Sequence, residues 1–147
     1  MTLLSKSSQK AGIVMGSDIL KRNNVLILDI NHFKQVNDTY GHQTGDAVLQ
    51  ELAVRLEAEV GSDDIVVRLG GEEFVVVMPD AAVEDALAMG NALCTRIALA
   101  AWQHVPVTVS IGVAAYVPGD KVGNLQSRAD GFLYKAKANG RNRVSGN

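Results

Sequence analysis

Two places in the chain gather acids where a fold can bring them together. Asp29 ends the apolar run Val25-Leu26-Ile27-Leu28, and Glu72 and Glu73 stand between the glycine pair Gly70-Gly71 and the run Phe74-Val75-Val76-Val77-Met78. A single glutamate in a turn is ordinarily a solvated surface acid. Three carboxylates held close together repel one another, and the arrangement is costly unless a cation joins them or a proton is taken up. An oxygen-only donor set favours Mg²⁺ or Mn²⁺ over zinc. An ion so held stabilises negative charge developing on a neighbouring oxygen and helps acidify a hydroxyl.

Whether these acids meet depends on the elements that carry them. The uninterrupted run 25–28 predicts a strand buried on both faces. From Gly45 to Val60, Val48, Leu49, Leu52, Leu56 and Val60 recur at helical spacing and predict an amphipathic helix. Ile65 to Leu69, the two glycines, and Phe74 to Met78 predict a hairpin closed by Pro79. Asp80 is expected to cap a helix running to about Ala101, with Val83, Leu87, Leu93, Cys94 and Ile97 on its apolar face. A strand over Val107–Ala114 and a last helix from about Asn124 to Asn139, ending at Gly140, complete the pattern. The order strand, helix, strand, strand, helix, strand is that of an α+β, ferredoxin-like βαββαβ fold with an added C-terminal helix. In that topology the strand after the glycine turn lies antiparallel beside the first, so the end carrying Asp29 meets the beginning carrying Glu72 and Glu73. Residues 1–22 are expected to form an arm or short helix ahead of one domain over 23–147.

The 147 residues, 47% of them apolar and 20% charged, suit one soluble globular domain. A net charge of -2 supplies no overall positive field for a nucleic-acid backbone. Cys94 is the single cysteine, which excludes an intrachain disulfide and a cysteine-rich zinc site; it is expected to be a small buried hydrophobe in a cytoplasmic protein. The start Met1-Thr2-Leu3-Leu4-Ser5-Lys6 has no long apolar core of a leader, and no run approaches the length of a membrane span, so membrane contact is not expected. His32, His42 and His104 make no ligand set, and Trp102 and Tyr134 are expected to pack. Neither a Walker A pattern nor G-x-G-x-x-G occurs, so any phosphate must be held by metal and side-chain cations.

Gly70-Gly71-Glu72-Glu73-Phe74 resembles the signature of the GGDEF family in its GGEEF form, and Asp29 to Asp46 (DINHFKQVNDTYGHQTGD) resembles a segment of the same family almost residue for residue. Arg68-Leu69, Val109-Ser110-Ile111-Gly112-Val113 and Asp130 to Arg143 (DGFLYKAKANGRNR) extend the resemblance from about residue 25 to the C-terminus. It implies a palm-type core of the nucleotidyl cyclase kind and a diguanylate cyclase, which joins two GTP into cyclic di-GMP with Mg²⁺ or Mn²⁺ in a transient pair of facing domains. By the same resemblance, Asp29, the carbonyl of Ile30 and Glu72 hold the metal, and Glu73 is a further ligand or helps remove the hydroxyl proton. Asn37 and Asp46 read the guanine edge. Lys34, Lys137, Arg141 and backbone N–H groups near Phe33 hold the triphosphate, and Gly70 and Gly71 let the backbone approach the nucleotide.

The residue types suit these roles. Guanine offers an N1–H and an amine, which a carboxylate accepts, while an amide such as Asn37 both gives and receives. Lys137 and Arg141, four apart, are expected on one side of a helix end, within reach of one phosphate. The alternative is a degenerate domain of the family that binds GTP or cyclic di-GMP without turnover; it would be marked by an altered glycine–acid turn, and the turn here is intact. Many relatives carry Arg-x-x-Asp before that turn as an inhibitory product site. This chain has Gly61-Ser62-Asp63-Asp64 instead, which reads as a solvated turn.

Overall fold

A computed structural model describes residues 2–3 and 23–147 of the chain. Apart from Thr2 and Leu3, the arm expected over 1–22 lies outside the described residues. Among these residues six strands, β1 (Thr2–Leu3), β2 (Asn24–Ile30), β3 (Ile65–Gly70), β4 (Glu73–Met78), β5 (Val109–Ala115) and β6 (Val144–Gly146), form one sheet in the order β1-β3-β4-β2-β5-β6. All neighbours are antiparallel except β5 and β6, which run parallel. The βαββαβ core is as expected, with β2 between β4 and β5. β1 and β6 extend the sheet on either side and have no counterpart in the sequence reading.

Among the described residues four helices cover the sheet: α1 (Phe33–Tyr40), α2 (His42–Glu59), α3 (Val83–Leu99) and α4 (Val122–Ala138). Strand residues alternate between the two faces. Leu26, Leu28 and Ile30 of β2 join Phe74 and Val76 in a core under α1, α2 and α3, whereas Val25 and Ile27 join Val75, Val77 and Ala114 under Leu125, Ala129 and Leu133 of α4. Every residue of β2 is therefore buried, the physical reason for its unbroken apolar run. Gly112 of β5 is where α4 touches the sheet: a Cβ there would strike the Ala129 carbonyl oxygen and the Leu133 nitrogen.

The helix expected from Gly45 starts earlier, at His42, and a separate helix, α1, precedes it. The joint is Gly41, at φ 89, whose N–H donates to the Asn37 carbonyl at 2.9 Å while its own carbonyl accepts from Gly45 N–H at 3.1 Å. Asp80 does not cap α3. It takes φ 53 in the turn after β4, and Ala82 occupies the N-cap without a side-chain bond, leaving Glu84 and Asp85 in the first turn to complement the helix dipole. Cys94 is buried as expected, with its Sγ 3.6 Å from the Val109 carbonyl and its thiol pushed up to about 11 by burial, so it is unreactive. Trp102 packs against the larger core and donates to the Ile97 carbonyl at 3.0 Å. Tyr134 does not pack; it is 73% exposed on α4.

Candidate active site

At the end of β2 the chain leaves the sheet through Asn31 and His32 and enters α1. Asn31 secures this exit: its N–H donates to the Thr108 carbonyl at 2.9 Å, its amide to Thr108 Oγ1 at 2.8 Å, and Ser110 Oγ donates to its Oδ1 at 2.7 Å. Those bonds hold Asp29 and Ile30 at the rim. His32 adopts φ 59, and its carbonyl accepts from Gln35 and Val36, leaving the N–H groups of Phe33 and Lys34 at the open start of α1.

Asp29 pairs in register with Glu73, so both side chains project toward α4. Lys137, in the last turn of α4, donates to Asp29 Oδ2 at 2.5 Å. Asp29 Oδ1 is buried and has no hydrogen-bond partner among the described residues. Burial, and then the nearby charges of Asp130, Asp29 and Glu72, raise the proton affinity of Glu73, with Lys137 opposing. Asp130 is shifted the same way by burial, also against Lys137. A group that holds its proton more tightly than an ordinary carboxylate is suited to accept one from a hydroxyl.

Arg141 reaches this place by a route other than the helical spacing expected of it. α4 stops at Ala138, Gly140 takes φ 121, and the N–H groups of Gly140 and Arg141 close back on the Lys137 and Ala136 carbonyls at 3.4 and 3.0 Å. This Schellman turn, followed by Arg141 itself at φ 63, returns the arginine beside Lys137. Asp29, Ile30, Phe33, Lys34, Glu72, Lys137 and Arg141 then line one cavity of about 190 Å³ together with Asn31 and His32.

Seven predicted site residues thus share a cavity, and the other five do not line it. Glu73 faces α4 beside Asp29. Gly70 and Gly71, at φ 147 and 49, form the turn, which Arg68 clamps through bonds of 3.1 and 2.8 Å to the Gly71 carbonyl. Asn37 lies one turn along α1 from Phe33 on the same side, and Asp46 lies in the first turns of α2. The three acids do not form a tight cluster: among the described residues no group of three or more His, Cys, Asp or Glu side chains stands at ion-holding spacing. Mutual repulsion favours their separation, and the Lys137 ammonium occupies one oxygen of Asp29. Its other oxygen is a buried acceptor without a partner among the described residues, and Ile30 and Glu72 line the same cavity, so the available donors are oxygens of the kind a hard divalent cation takes. Sequence reasoning gave no individual role to Arg68, Asn31 or Asp130, although all lie inside or beside the quoted motifs.

The sequence model of the family described as "Diguanylate cyclase, GGDEF domain" matches residues 15–143. The chain belongs to the GGDEF family. This GGDEF domain is 44% identical over 128 residues to the response regulator PleD of Caulobacter vibrioides, a match covering 82% of the chain and 28% of PleD. It is 41% identical over 121 residues to the diguanylate cyclase DgcM of Escherichia coli, covering 82% of the chain and 30% of that protein. It therefore spans about a third or less of these curated relatives. Among solved structures, the GGDEF domain of DgcB from Caulobacter crescentus in complex with c-di-GMP superposes with a TM-score of 0.82 at 30% identity, covering 94% of this chain and 84% of that one. The active GGEEF domain of a diguanylate cyclase from Vibrio cholerae gives 0.80 at 30% identity, covering 94% and 89%.

Proposed function

We propose that this domain is a diguanylate cyclase. Two domains, each holding one GTP, face each other; the 3′-hydroxyl of one nucleotide attacks the α-phosphorus of the other, pyrophosphate leaves, and the step repeats in the opposite sense to close cyclic di-GMP. The observation that carries this reading is the Asp29 carboxylate, with one oxygen on Lys137 and the other buried and unpartnered, at the rim of a cavity that also holds Glu72, Lys34 and Arg141.

Asp29, the Ile30 carbonyl and Glu72, with Glu73 adjoining, fit Mg²⁺ or Mn²⁺, which when bound offsets the charge of the phosphates and lowers the proton affinity of the attacking hydroxyl. The chain's own groups do the rest. Lys34, Lys137, Arg141 and the open N–H groups at Phe33 and Lys34 bind and orient the triphosphate, drawing on the positive end of α1. Glu73, its proton affinity raised by burial and neighbouring acids, takes the hydroxyl proton. Asn37 and Asp46 receive the guanine edge, and the glycine turn leaves room for the nucleotide against the backbone. The domain works where GTP is abundant, in the cytoplasm, and the product can rebind at the same site. No helix among the described residues is long and apolar enough to cross a membrane.

The test is incubation of the purified chain with GTP and Mg²⁺, following cyclic di-GMP and pyrophosphate together. Two pyrophosphates per ring, at a rate rising faster than linearly with protein concentration, support the proposal. GTP binding without product would place the chain among nucleotide-binding relatives that do not turn over.

A further inference from the structure

Gly45 sits in the first turns of α2, where a glycine has no conformational task. Its φ is not in the left-handed region, and inside a helix glycine is the least favoured residue after proline. The reason for a glycine here is space. The Gly41 corner folds the start of α2 back over α1, and Gly45 is buried in that contact. A Cβ at this position would overlap Asn37 Oδ1, approach Asn37 Cγ to 3.0 Å and approach the Phe33 ring at Cζ to 3.2 Å. No backbone atom is among these three nearest obstacles. The atoms in the way are the amide end of one side chain and a ring edge.

Asn37 is half-buried, yet its carboxamide makes no hydrogen bond within the protein among the described residues, and neither does the exposed carboxylate of Asp46. The amide is therefore aimed by contact: α1 carries it, and the bare Cα of Gly45 gives it room to lie against α2, one residue before Asp46. Both groups keep their polar atoms available to a ligand.

Resting on the proposal that Asn37 and Asp46 read guanine, we infer that Gly45 is a specificity-determining positioning residue, which sets the carboxamide of Asn37 alongside Asp46 so that the two meet one purine edge together. A methyl group at position 45 displaces the amide and leaves Asp46 to read alone. Because the obstacle is the movable end of a side chain, the fold yields easily, while the base site does not. Alanine also propagates a helix better than glycine. The predicted signature is accordingly a variant as stable as the parent that no longer discriminates between bases.

The experiment measures binding of GTP, ITP and ATP to the parent, Gly45→Ala, Asn37→Ala and the double variant, with a melting curve for each. Gly45→Ala should melt at or above the parent temperature and lose GTP affinity by on the order of 10-fold, with little change for ATP, as expected when a base-edge partner is removed. The double variant should bind GTP no worse than Asn37→Ala alone, since both changes remove the same amide from the site. A Gly45→Ala protein that keeps the parent's preference for GTP, while Asn37→Ala loses it, overturns the role of Gly45 and leaves the guanine reading standing. A parent without preference for GTP over ATP overturns both. Should Gly45→Ala fail to fold, the double variant decides: with the amide gone the methyl fits and the protein folds, whereas a double variant that also fails shows that the obstacle is not Asn37.

Discussion

Replacing Lys137 with methionine keeps most of the apolar stem and deletes the charge. In the protein the ammonium holds Asp29 Oδ2 at 2.5 Å, with side chains 32% and 11% exposed, and Asp29 Oδ1 already lacks a partner. The variant leaves a largely buried carboxylate with neither oxygen paired. Exposed ion pairs contribute about 0–1 kcal/mol, and breaking a fully buried one costs about 3–5 kcal/mol. This pair lies between, so the metal-free variant should lose about 2 kcal/mol, a melting point lower by roughly 5–8 °C at this chain length. A divalent cation on Asp29 supplies the missing charge, so saturating Mg²⁺ should restore at least half of the loss by binding the folded state. The assay is thermal melting of parent and Lys137→Met in chelator and in Mg²⁺. An equal drop in both conditions, or none in chelator, would refute the idea that ammonium and metal share this carboxylate.

Other changes read different links of the chain. Gly112→Ala sets a methyl against the backbone of α4 at Ala129 and Leu133, and should cost about 3 kcal/mol by chemical denaturation while displacing the helix that carries Lys137. Asp120 accepts both Arg128 nitrogens, at 3.0 and 2.7 Å, and the Val117 N–H at 2.8 Å. The Arg128 bonds lead in lowering its proton affinity, so the stability it supplies is present above the ordinary carboxylate value and lost as pH falls through the lower folded value. Asp120→Asn should therefore cost about 1–2 kcal/mol at neutral pH, a deficit that closes in melts below about pH 4. Asp64 spends its carboxylate on the Gly61 N–H at 2.7 Å in a local turn. Asp64→Ala should leave inhibition by cyclic di-GMP unchanged and competitive with GTP in initial-rate measurements; loss of a noncompetitive component would reveal a second product site.

Legibility followed how local each cause was. β2 could be read because burial on both faces forces an unbroken apolar run, and the hairpin because Gly70 and Gly71 take the positive φ values a tight turn requires. The pairing of Asp29 with Glu73 then followed from topology. α1 escaped notice because only Phe33 and Val36 anchor its 8 residues, too few to show a repeating stripe. β6 is 3 residues long and exists by parallel pairing to β5, a contact with no local signature. Asp80 has the residue type of a cap but is used in the turn before α3. Helical spacing predicts Arg141 on one side of a helix end with Lys137, whereas a Schellman turn brings it beside Lys137. The influence of Asp130 on Glu73 depends on how α4 packs over the sheet, which only tertiary structure decides.

The central claim is that the acids at the meeting of β2 and β4 hold the ion for GTP condensation, and Glu72→Gln tests it with one charge removed and shape kept. Product formation is measured for parent and variant under the same GTP and Mg²⁺, after melting curves establish that both are folded. The expected result is cyclic di-GMP from the parent and a rate lower by at least about 10- to 100-fold from Glu72→Gln, the loss that changes even beside a metal's ligands produce. Equal rates from the two folded proteins would contradict the account.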